Sequence, residues 1–579
     1  MKKIVHVLLI LLFIFCLNGF GQTGRPPLQN LHNEAGFITI EPVDVYFHFG
    51  DFLNRLSLTS ASAKIWYSFH AADDSPEDKP LFVFFNGGPG SGTSSGLMSM
   101  NTGRFTLDNT IEGGGGDVFI DNPFSWTRMG NLLYIDARTA GFSYSLHDQA
   151  SNEMVRFQQF NAQNYNPFFD GADFVRALLR FLTRFPSIQS NRVVIVGESY
   201  GGIRSTVMLH LLLNYTNYAN GKEMYQDPAL SSEIQAHYNR IFPQFADQTV
   251  PPSVITRQFG HQILIQPAIT MRYQRELADA LLRLPGSIIY DLGREIGIPY
   301  DPNVHDPDYF ARYIAERDLY IISKPRDWLN AFFINAGRLL RTTNNLSRMT
   351  EVDATQIFSL YAQTRTSAYK IFDANYTYDV AAMSNHWLDD FHFLQPAQEE
   401  MRRTLQESGD MEAVFGRLQP WDRYFLGSNY NANWAFHYFS AAGARGYEVY
   451  YSQPRFGRMF LKNVAHVHTF ITNAKYDLVV YANAIPPALA QHDTIISAAE
   501  HDRLPGEEDR PGRIVLHYQP GAFPDIPDLT TRSIRFPFYS KSCHAVSLTQ
   551  PEDLFSDVRI WLIQNGLDVT EGNGEGYDH

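Results

Sequence analysis

The chain has 579 residues, of which 44% are hydrophobic and 19% are charged, so it is long and apolar enough to form a large globular core. Its formal net charge of -14, from 47 basic and 61 acidic residues, argues against nucleic acids and anionic membranes as partners. Aromatic residues make up 14% of the chain, which fits a large core and also fits aromatic-lined pockets.

Residues 1–21 have the pattern of a signal peptide. Two lysines follow the first methionine, an apolar run extends from Ile4 to Leu17, and small residues precede Gln22. This pattern predicts cleavage before Gln22 and therefore an exported protein. The apolar run is short for a membrane span, and an uncleaved anchor remains open as the alternative.

The chain contains two cysteines, Cys16 and Cys543. Removal of a signal peptide would leave Cys543 alone, so no intramolecular disulfide could form. An exported chain of this size without disulfides favours a bacterial envelope protein, periplasmic or secreted.

In chain order, alternating apolar residues between Gly36 and Phe69 predict antiparallel strands. Short apolar runs at 81–85, 131–136 and 192–196 predict buried parallel strands, and the apolar spacing over 168–185 predicts a helix packed on them. Strands that alternate with helices in this way are typical of a parallel α/β sheet.

The pattern changes after Leu213. A helix is predicted near 229–241, one more strand at 261–266, and mostly helical, aromatic-rich sequence from 268 to 455. Strands resume at 467–473, 513–518 and 536–539, a charged loop is predicted over 498–513, and a last helix over 557–564. The predicted division is a first core part at 36–267, an inserted helical cap at 268–455, a second core part at 456–568 and a polar tail at 569–579.

The sequence Gly197-Glu198-Ser199-Tyr200-Gly201 joins the strand at 192–196 to an apolar helix over 203–213. A serine between flanking glycines on a strand-to-helix turn predicts a nucleophile elbow, because a Cβ at either glycine would clash with the opposite limb. An ordinary strand–helix turn is the alternative.

A glycine-rich loop, Asn86 to Gly92, follows the strand at 81–85. Such a loop suits an oxyanion hole, because backbone N–H groups must closely approach the substrate. A phosphate-binding loop is the rival, but the loop contains no lysine.

A nucleophilic serine needs a base, and the base needs an orienting acid. On this type of sheet the chain order is serine, acid, histidine. Asp477 and His544 each follow a predicted strand in that order. The chain has 19 histidines, so the position of His544 after a strand, not its presence, makes it the candidate.

Together these residues resemble the serine carboxypeptidase family, over roughly 81–202 and 467–564. The matching blocks are Asn86-Gly87-Gly88-Pro89-Gly90, Asn122-Pro123-Phe124-Ser125-Trp126, Gly141-Phe142-Ser143-Tyr144, Gly197-Glu198-Ser199-Tyr200-Gly201-Gly202, Tyr476-Asp477-Leu478-Val479-Val480 and His544-Ala545-Val546.

The resemblance implies an α/β-hydrolase fold, with a central mostly parallel sheet and an inserted, mainly helical cap. It implies a peptidase that releases C-terminal residues from peptides through an acyl-enzyme, without a metal or cofactor. Ser199 would be the nucleophile, His544 the general base and then acid, and Asp477 the residue that orients His544. The N–H groups of Gly88 and Tyr200 would form the oxyanion hole.

The family binds the terminal carboxylate of its substrate with a tryptophan, an asparagine and two glutamates. Asn86, with Gly87 beside it, and Glu198 match this set. The tryptophan position is Phe84, the second glutamate position is Asn101, and Arg104 replaces a proline nearby. The resemblance therefore supports a peptidase better than a strict carboxypeptidase, and leaves open whether Arg104 points into the site.

The expected partner is a peptide substrate, and the oligomeric state stays open, with a homodimer among the options. A serine esterase or acyltransferase on the same fold is the first rival. The second is a catalytically inactive, peptide-binding homologue.

Overall fold

The computed structural model describes a defined set of residues: 31–48, 55–60, 62–87, 92–94, 96–99, 101–107, 119–138, 143–146, 167–246, 248–269, 455–474, 477, 480, 482–501, 511–540, 542, 544 and 546–569. The predicted signal peptide lies outside these residues, as does almost all of the predicted cap and of the polar tail.

The strands are numbered along the chain. They are β1 (Glu34–Ile40), β2 (Asp44–His48), β3 (Arg55–Thr59), β4 (Ser62–His70), β5 (Leu81–Phe85), β6 (Phe105–Leu107), β7 (Phe119–Asp121), β8 (Asn131–Ile135), β9 (Tyr144–Leu146), β10 (Val193–Glu198), β11 (Tyr225–Gln226), β12 (His261–Ile265), β13 (His468–Ile471), β14 (Asn473–Ala474), β15 (Ile495–His501), β16 (Pro511–Tyr518) and β17 (Thr531–Tyr539).

The α-helices are numbered in the same way. They are α1 (Pro167–Arg184), α2 (Gly201–Leu213), α3 (Tyr215–Ala219), α4 (Pro228–Ile241), α5 (Pro252–Ile255), α6 (Arg455–Val464), α7 (Ile485–Ala490), α8 (Val546–Thr549) and α9 (Pro551–Gln564). Within the described ranges, every helix is too short or too polar to span a bilayer.

In the described part of the chain, twelve strands form one sheet in the order β1-β4-β8-β5-β10-β12-β13-β17-β16-β15, with β14 beside β17 and β9 beside β4. The central strands from β8 to β17 run parallel to their neighbours in this path, and the flanking strands pair antiparallel. This mixed sheet confirms the predicted α/β-hydrolase fold.

The central strands are buried on both faces because helices cover both sides of the sheet. In β5, Leu81, Val83 and Phe85 pack in one apolar cluster with residues of α1 and α2. Phe82 and Phe84 point to the opposite face, where they share a cluster with residues of α9. A strand buried on both faces needs a continuous apolar run, which is the pattern that predicted β5, β8 and β10.

The carboxyl ends of parallel neighbours lie at the same edge of a sheet. The chain leaves β5 at Asn86, β10 at Ser199 and β17 just after Tyr539, so the segments that follow these strands meet there. Strand β14 pairs with the end of β17, which places the segment after Ala474 beside the segment that leads to His544. The fold therefore brings the three candidate catalytic segments to one edge.

The predicted charged loop over 498–513 is wrong at both ends. Strand β15 continues to His501, and β16 begins at Pro511. Strand β15 is the last strand of the sheet, and an edge strand tolerates charged and polar residues because only one of its sides pairs.

The last helix also begins earlier than predicted, at Pro551, because proline at the first helical position leaves no N–H unsatisfied.

Candidate active site

Ser199 occupies the turn between β10 and α2. Its φ angle is +58°, in the left-handed region that non-glycine residues rarely adopt. Its N–H donates to the carbonyl of Ile265 over 2.9 Å, and its carbonyl accepts from Gly202 over 2.9 Å and Ala268 over 2.8 Å. Hydrogen bonds on both sides of the residue thus hold a strained backbone in place while the side chain stays half-buried.

The glycines around Ser199 allow the backbone segments to touch. A Cβ on Gly197 would lie 2.5 Å from the carbonyl oxygen of Gly201. A Cβ on Gly87 would lie 2.5 Å from the nitrogen of Tyr200 and 2.7 Å from Cβ of Ser199. Gly87 of the glycine-rich loop, two residues after β5, therefore lies directly against the elbow.

Asn86 fixes the start of that loop through all four of its polar groups. Its backbone N–H donates to Thr93 Oγ1 over 3.1 Å, and its side-chain oxygen accepts from the N–H of Leu97 over 2.8 Å. Its side-chain amide donates to Glu198 Oε1 over 2.7 Å. Its carbonyl accepts from the guanidinium of Arg204.

Of the two predicted oxyanion donors, the structure describes one. Gly88 lies outside the described residues. Tyr200 is described, and its N–H group lies at the point where Gly87 approaches the elbow. Tyr200 is the N-cap residue of α2 and comes directly after Ser199.

Asp477 and His544 form a direct contact. His544 Nδ1 lies 3.0 Å from Asp477 Oδ2, and the other oxygen of Asp477 accepts from the N–H of Val480 over 3.0 Å. The Asp477 side chain is fully buried, and 11% of the His544 side chain is exposed. With Asp477 ionised, Nδ1 carries the proton and Nε2 is left to exchange protons with a substrate or nucleophile.

The pKa of His544 reflects two opposing effects. Burial alone lowers it, but the charge of Asp477, the hydrogen bond to Asp477 and the charge of Glu198 outweigh burial, so the pKa is raised above its ordinary value. His544 is thus poised to accept a proton during a reaction.

Glu198 is the buried carboxyl beside Ser199. Burial raises its pKa to about 7; the charge of His544 and the hydrogen bond from Asn86 lower it, and the charge of Asp477 raises it. Its Oε1 accepts from Asn86, whereas its buried Oε2 has no hydrogen-bond partner among the described residues. A buried oxygen without a partner beside a nucleophile is free to contact a ligand.

Glu198 immediately precedes Ser199 in the chain. The charges of Asp477 and His544 both shift the pKa of Glu198, so this pair lies within electrostatic range of the residue next to the serine. Among the described side chains, no hydrogen bond joins Ser199 Oγ to His544. Catalytic hydrogen bonds are often long before substrate binds.

The other predicted substrate-binding residues lie in different surroundings. Phe84 is fully buried, with its ring stacked on Tyr134 at 4.8 Å. Asn101 is buried with a φ of +59°, and its N–H donates to Thr106 Oγ1. Arg104 is exposed, and its charge acts on His70 of strand β4. The charges that shift the pKa of Glu198 are those of His544 and Asp477.

Sequence reasoning missed Arg204. This residue lies in α2, 1% exposed, with Nε bonded to Asp170 Oδ2 over 2.8 Å and the guanidinium bonded to the carbonyl of Asn86. The signal in the sequence is one arginine in an otherwise uncharged segment between Gly201 and Leu213. A buried charge at such a position requires a partner, which pattern alone does not identify.

The described residues hold no group of three or more histidine, cysteine or acidic side chains that could bind a metal ion.

Comparison with known proteins finds similarity over part of the chain. The sequence profile described as serine carboxypeptidase matches residues 47–226. Serine carboxypeptidase-like 9 of Arabidopsis thaliana is 27% identical over 154 residues, which cover 26% of this chain and 31% of that protein. Serine carboxypeptidase-like 26 of the same plant is 24% identical over 238 residues, covering 38% of this chain and 49% of that protein. The chain thus spans half or less of the length of these relatives.

Among solved structures, the chain is similar to Kex1Δp, a prohormone-processing carboxypeptidase from Saccharomyces cerevisiae. The TM-score is 0.45 and the sequence identity 13%, with 92% of this chain and 91% of the other covered.

Proposed function

We propose that this chain, whose residues 47–226 match the serine carboxypeptidase family, is a serine hydrolase that releases C-terminal residues from peptides through an acyl-enzyme. The observation that carries the proposal is the 3.0 Å contact between His544 Nδ1 and Asp477 Oδ2, at the edge of the sheet where Ser199 follows strand β10. A histidine oriented by a buried acid, beside a serine on a strained elbow, is the arrangement that activates a hydroxyl for acyl transfer.

In the proposed reaction, Ser199 Oγ attacks the scissile carbonyl while His544 Nε2 accepts its proton. The N–H of Tyr200, with that of Gly88, stabilises the negative charge that develops on the carbonyl oxygen. His544 then gives the proton to the leaving amine, and the peptide bond breaks to leave an acyl group on Ser199. Water, deprotonated by His544, hydrolyses this ester and regenerates the serine.

Selection of a C-terminal residue is assigned to the pair formed by Asn86 and Glu198. With a pKa of about 7, Glu198 holds a proton over much of the acidic range. Its unpartnered Oε2 would then donate a hydrogen bond to the carboxylate of a peptide.

A serine esterase or acyltransferase on the same scaffold is the second candidate. It is favoured by the surroundings of Phe84 and Arg104: the ring of Phe84 is packed in the core, and Arg104 is exposed. A site with fewer groups for a terminal carboxylate would accept esters or blocked peptides. A peptide-binding homologue without catalytic activity is the third candidate.

One experiment separates these candidates. The purified protein is treated with a fluorophosphonate probe, which labels an active serine. In parallel it is incubated with ester substrates and with peptides that carry a free or an amidated C-terminus, and the products are identified by mass spectrometry. The proposal expects labelling, lost in Ser199→Ala, and stepwise removal of C-terminal residues. Labelling with cleavage of esters alone would favour the esterase, and no labelling would favour the inactive homologue.

We also propose export to the periplasm or the medium, from the signal-like pattern of residues 1–21. N-terminal sequencing of envelope-derived protein should find a start near Gln22. A start at Met1 would favour a retained anchor.

A further inference from the structure

The hydrogen-bond partners of Asn86 come from three different segments of the chain. Thr93 and Leu97 belong to the chain that follows Asn86, and Glu198 belongs to the end of β10. The fourth partner is Arg204, which comes from the first turn of α2 and bonds the backbone carbonyl. It is the one fully charged donor of the set, and charge-assisted hydrogen bonds are the stronger kind.

Arg204 is held in place on several sides. Nε donates to Asp170 Oδ2 over 2.8 Å, and the guanidinium carbon lies 4.5 Å from the ring centre of Phe174, 5.4 Å from that of Tyr200 and 5.5 Å from that of Phe85. Two of these rings belong to the catalytic segments, since Phe85 precedes Asn86 and Tyr200 follows Ser199. Arg204 therefore contacts both the loop and the elbow.

A structural ion pair with Asp170 is the simpler explanation of a buried arginine. It accounts for the Nε contact alone. The guanidinium is a planar fork whose separate N–H groups can serve two acceptors, and here a second N–H group bonds the carbonyl of Asn86. The ion pair by itself does not require that contact.

We propose that Arg204 is a positioning residue, which fixes the peptide between Asn86 and Gly87 and so holds Gly87 against the backbone nitrogen of Tyr200. Because a peptide unit is planar, a carbonyl held in one direction also fixes the plane from which the chain enters Gly87. Gly87 already lies in contact with Tyr200, so a small rotation there would displace the loop relative to the elbow. This inference rests on the proposed function in one respect, that the loop and Tyr200 supply the oxyanion donors.

The test compares two changes at Arg204 with matched changes at Arg176. Arg204→Lys keeps the charge but removes the fork, and Arg204→Met combined with Asp170→Asn removes the ion pair without leaving a buried charge. Arg176 and Asp227 form another buried ion pair, 2.6 Å long and fully buried on both sides, which joins α1 to the N-cap of α4. Arg176→Lys, and Arg176→Met combined with Asp227→Asn, are the controls for lost stability.

Two quantities are measured for each variant. With an ester substrate, kcat should fall about 10- to 100-fold in both Arg204 variants, while KM stays within about twofold, because misplaced donors lose contacts to the transition state and not to the bound substrate. Hydrogen exchange of the segment 86–97 should become about tenfold faster, because the loop loses a charge-assisted hydrogen bond. In the Arg176 controls, both quantities should match the wild type.

The outcomes separate this inference from the proposed function. A wild type with neither labelling nor turnover would reject the proposed function, and exchange would still show whether Arg204 holds the loop. Arg204 variants with unchanged exchange, or with faster exchange but unchanged kcat in an active enzyme, would overturn the positioning role. Should the double variant fail to fold, Arg204→Lys alone decides.

Discussion

Asn86 Nδ2 donates a 2.7 Å hydrogen bond to Glu198 Oε1, and this contact joins the start of the glycine-rich loop to the residue before Ser199. Glu198 in turn lies within the electrostatic reach of His544 and Asp477. A change in the protonation of one of these groups therefore shifts the pKa of the others. Several of the expected effects consequently depend on pH.

Ser199→Ala should lower kcat by about 10⁴-fold or more and abolish fluorophosphonate labelling, because the proposed nucleophile is lost. Thermal unfolding should be nearly unchanged, since the half-buried hydroxyl is not part of the core. Ser205→Ala is the matched control: Ser205 lies in α2, and its buried hydroxyl has no hydrogen-bond partner among the described residues. Wild-type turnover in Ser199→Ala would reject the assignment.

Asp477→Asn should lower kcat by about 10⁴-fold, because the amide does not hold His544 in the required tautomer. The wild type should lose kcat/KM as the pH falls through the raised pKa of His544, since only the neutral imidazole accepts a proton. Loss of the Asp477 charge lowers that pKa, so the acidic limb of the residual activity should move to lower pH. A limb that does not move in kcat/KM measured from pH 4 to 8 would contradict this assignment.

Glu198→Gln tests carboxylate recognition. In the wild type, KM for free-acid peptides should rise as the pH passes about 7, because ionised Glu198 loses its proton donor and repels the substrate carboxylate. The glutamine variant should show no such rise, since its amide does not titrate in this range. C-terminally amidated peptides serve as the control, and an equal pH dependence for both substrates would count against the role of Glu198.

Gly87→Ala should reduce kcat strongly, because the new Cβ would overlap the nitrogen of Tyr200 and push the loop from the elbow. Gly521→Ala is the control: Gly521 has a φ of +71° and open space around it. Alanine there should cost about 1–2 kcal/mol of stability through backbone strain, with unchanged kcat. For each variant, kcat and the thermal unfolding temperature are measured. If both variants lose activity in proportion to their loss of stability, the prediction is wrong.

Arg104→Ala should leave the ratio of kcat/KM for free-acid and amidated peptides unchanged, because Arg104 is exposed and its charge acts on His70. Asn101→Glu is the contrasting variant. The family resemblance implies that position 101 lies beside Glu198; a second carboxyl there would raise the pKa of Glu198 and increase the preference for free acids in acidic solution. If Arg104→Ala alone removes the preference for free acids, then Arg104 contacts the substrate and the prediction is wrong.

The elements that sequence predicts well are those with a local signal. The continuous apolar runs of β5 and β10 reflect burial on both faces, and the glycines around Ser199 reflect a close approach of backbones. The contact of Asp477 with His544 follows from topology, because both residues come after strands that meet at one edge. The order of these residues along the chain was enough to anticipate that meeting.

Other features depend on neighbours that a sequence pattern does not reveal. Strand β15 contains charged residues, so its sequence does not predict a strand. Its pairing with β16 is seen only in the structure. The environment of Arg204 is assembled from Asp170 in α1, Asn86 after β5 and rings of three different segments. The charge of Arg104, a residue within the region that the family model matches, acts on His70, a relationship that spacing does not predict.

Strands β12 and β13 are direct neighbours, with His261 opposite His468, although residues 266–467 separate them along the chain. This long stretch is therefore attached to the sheet between two adjacent positions. Insertions and deletions within it would not by themselves require a change in the pairing of β12 with β10 and β13. Over evolution, such a connection would let descendants of one sheet acquire or lose long inserted segments while inheriting the same arrangement of Ser199, Asp477 and His544.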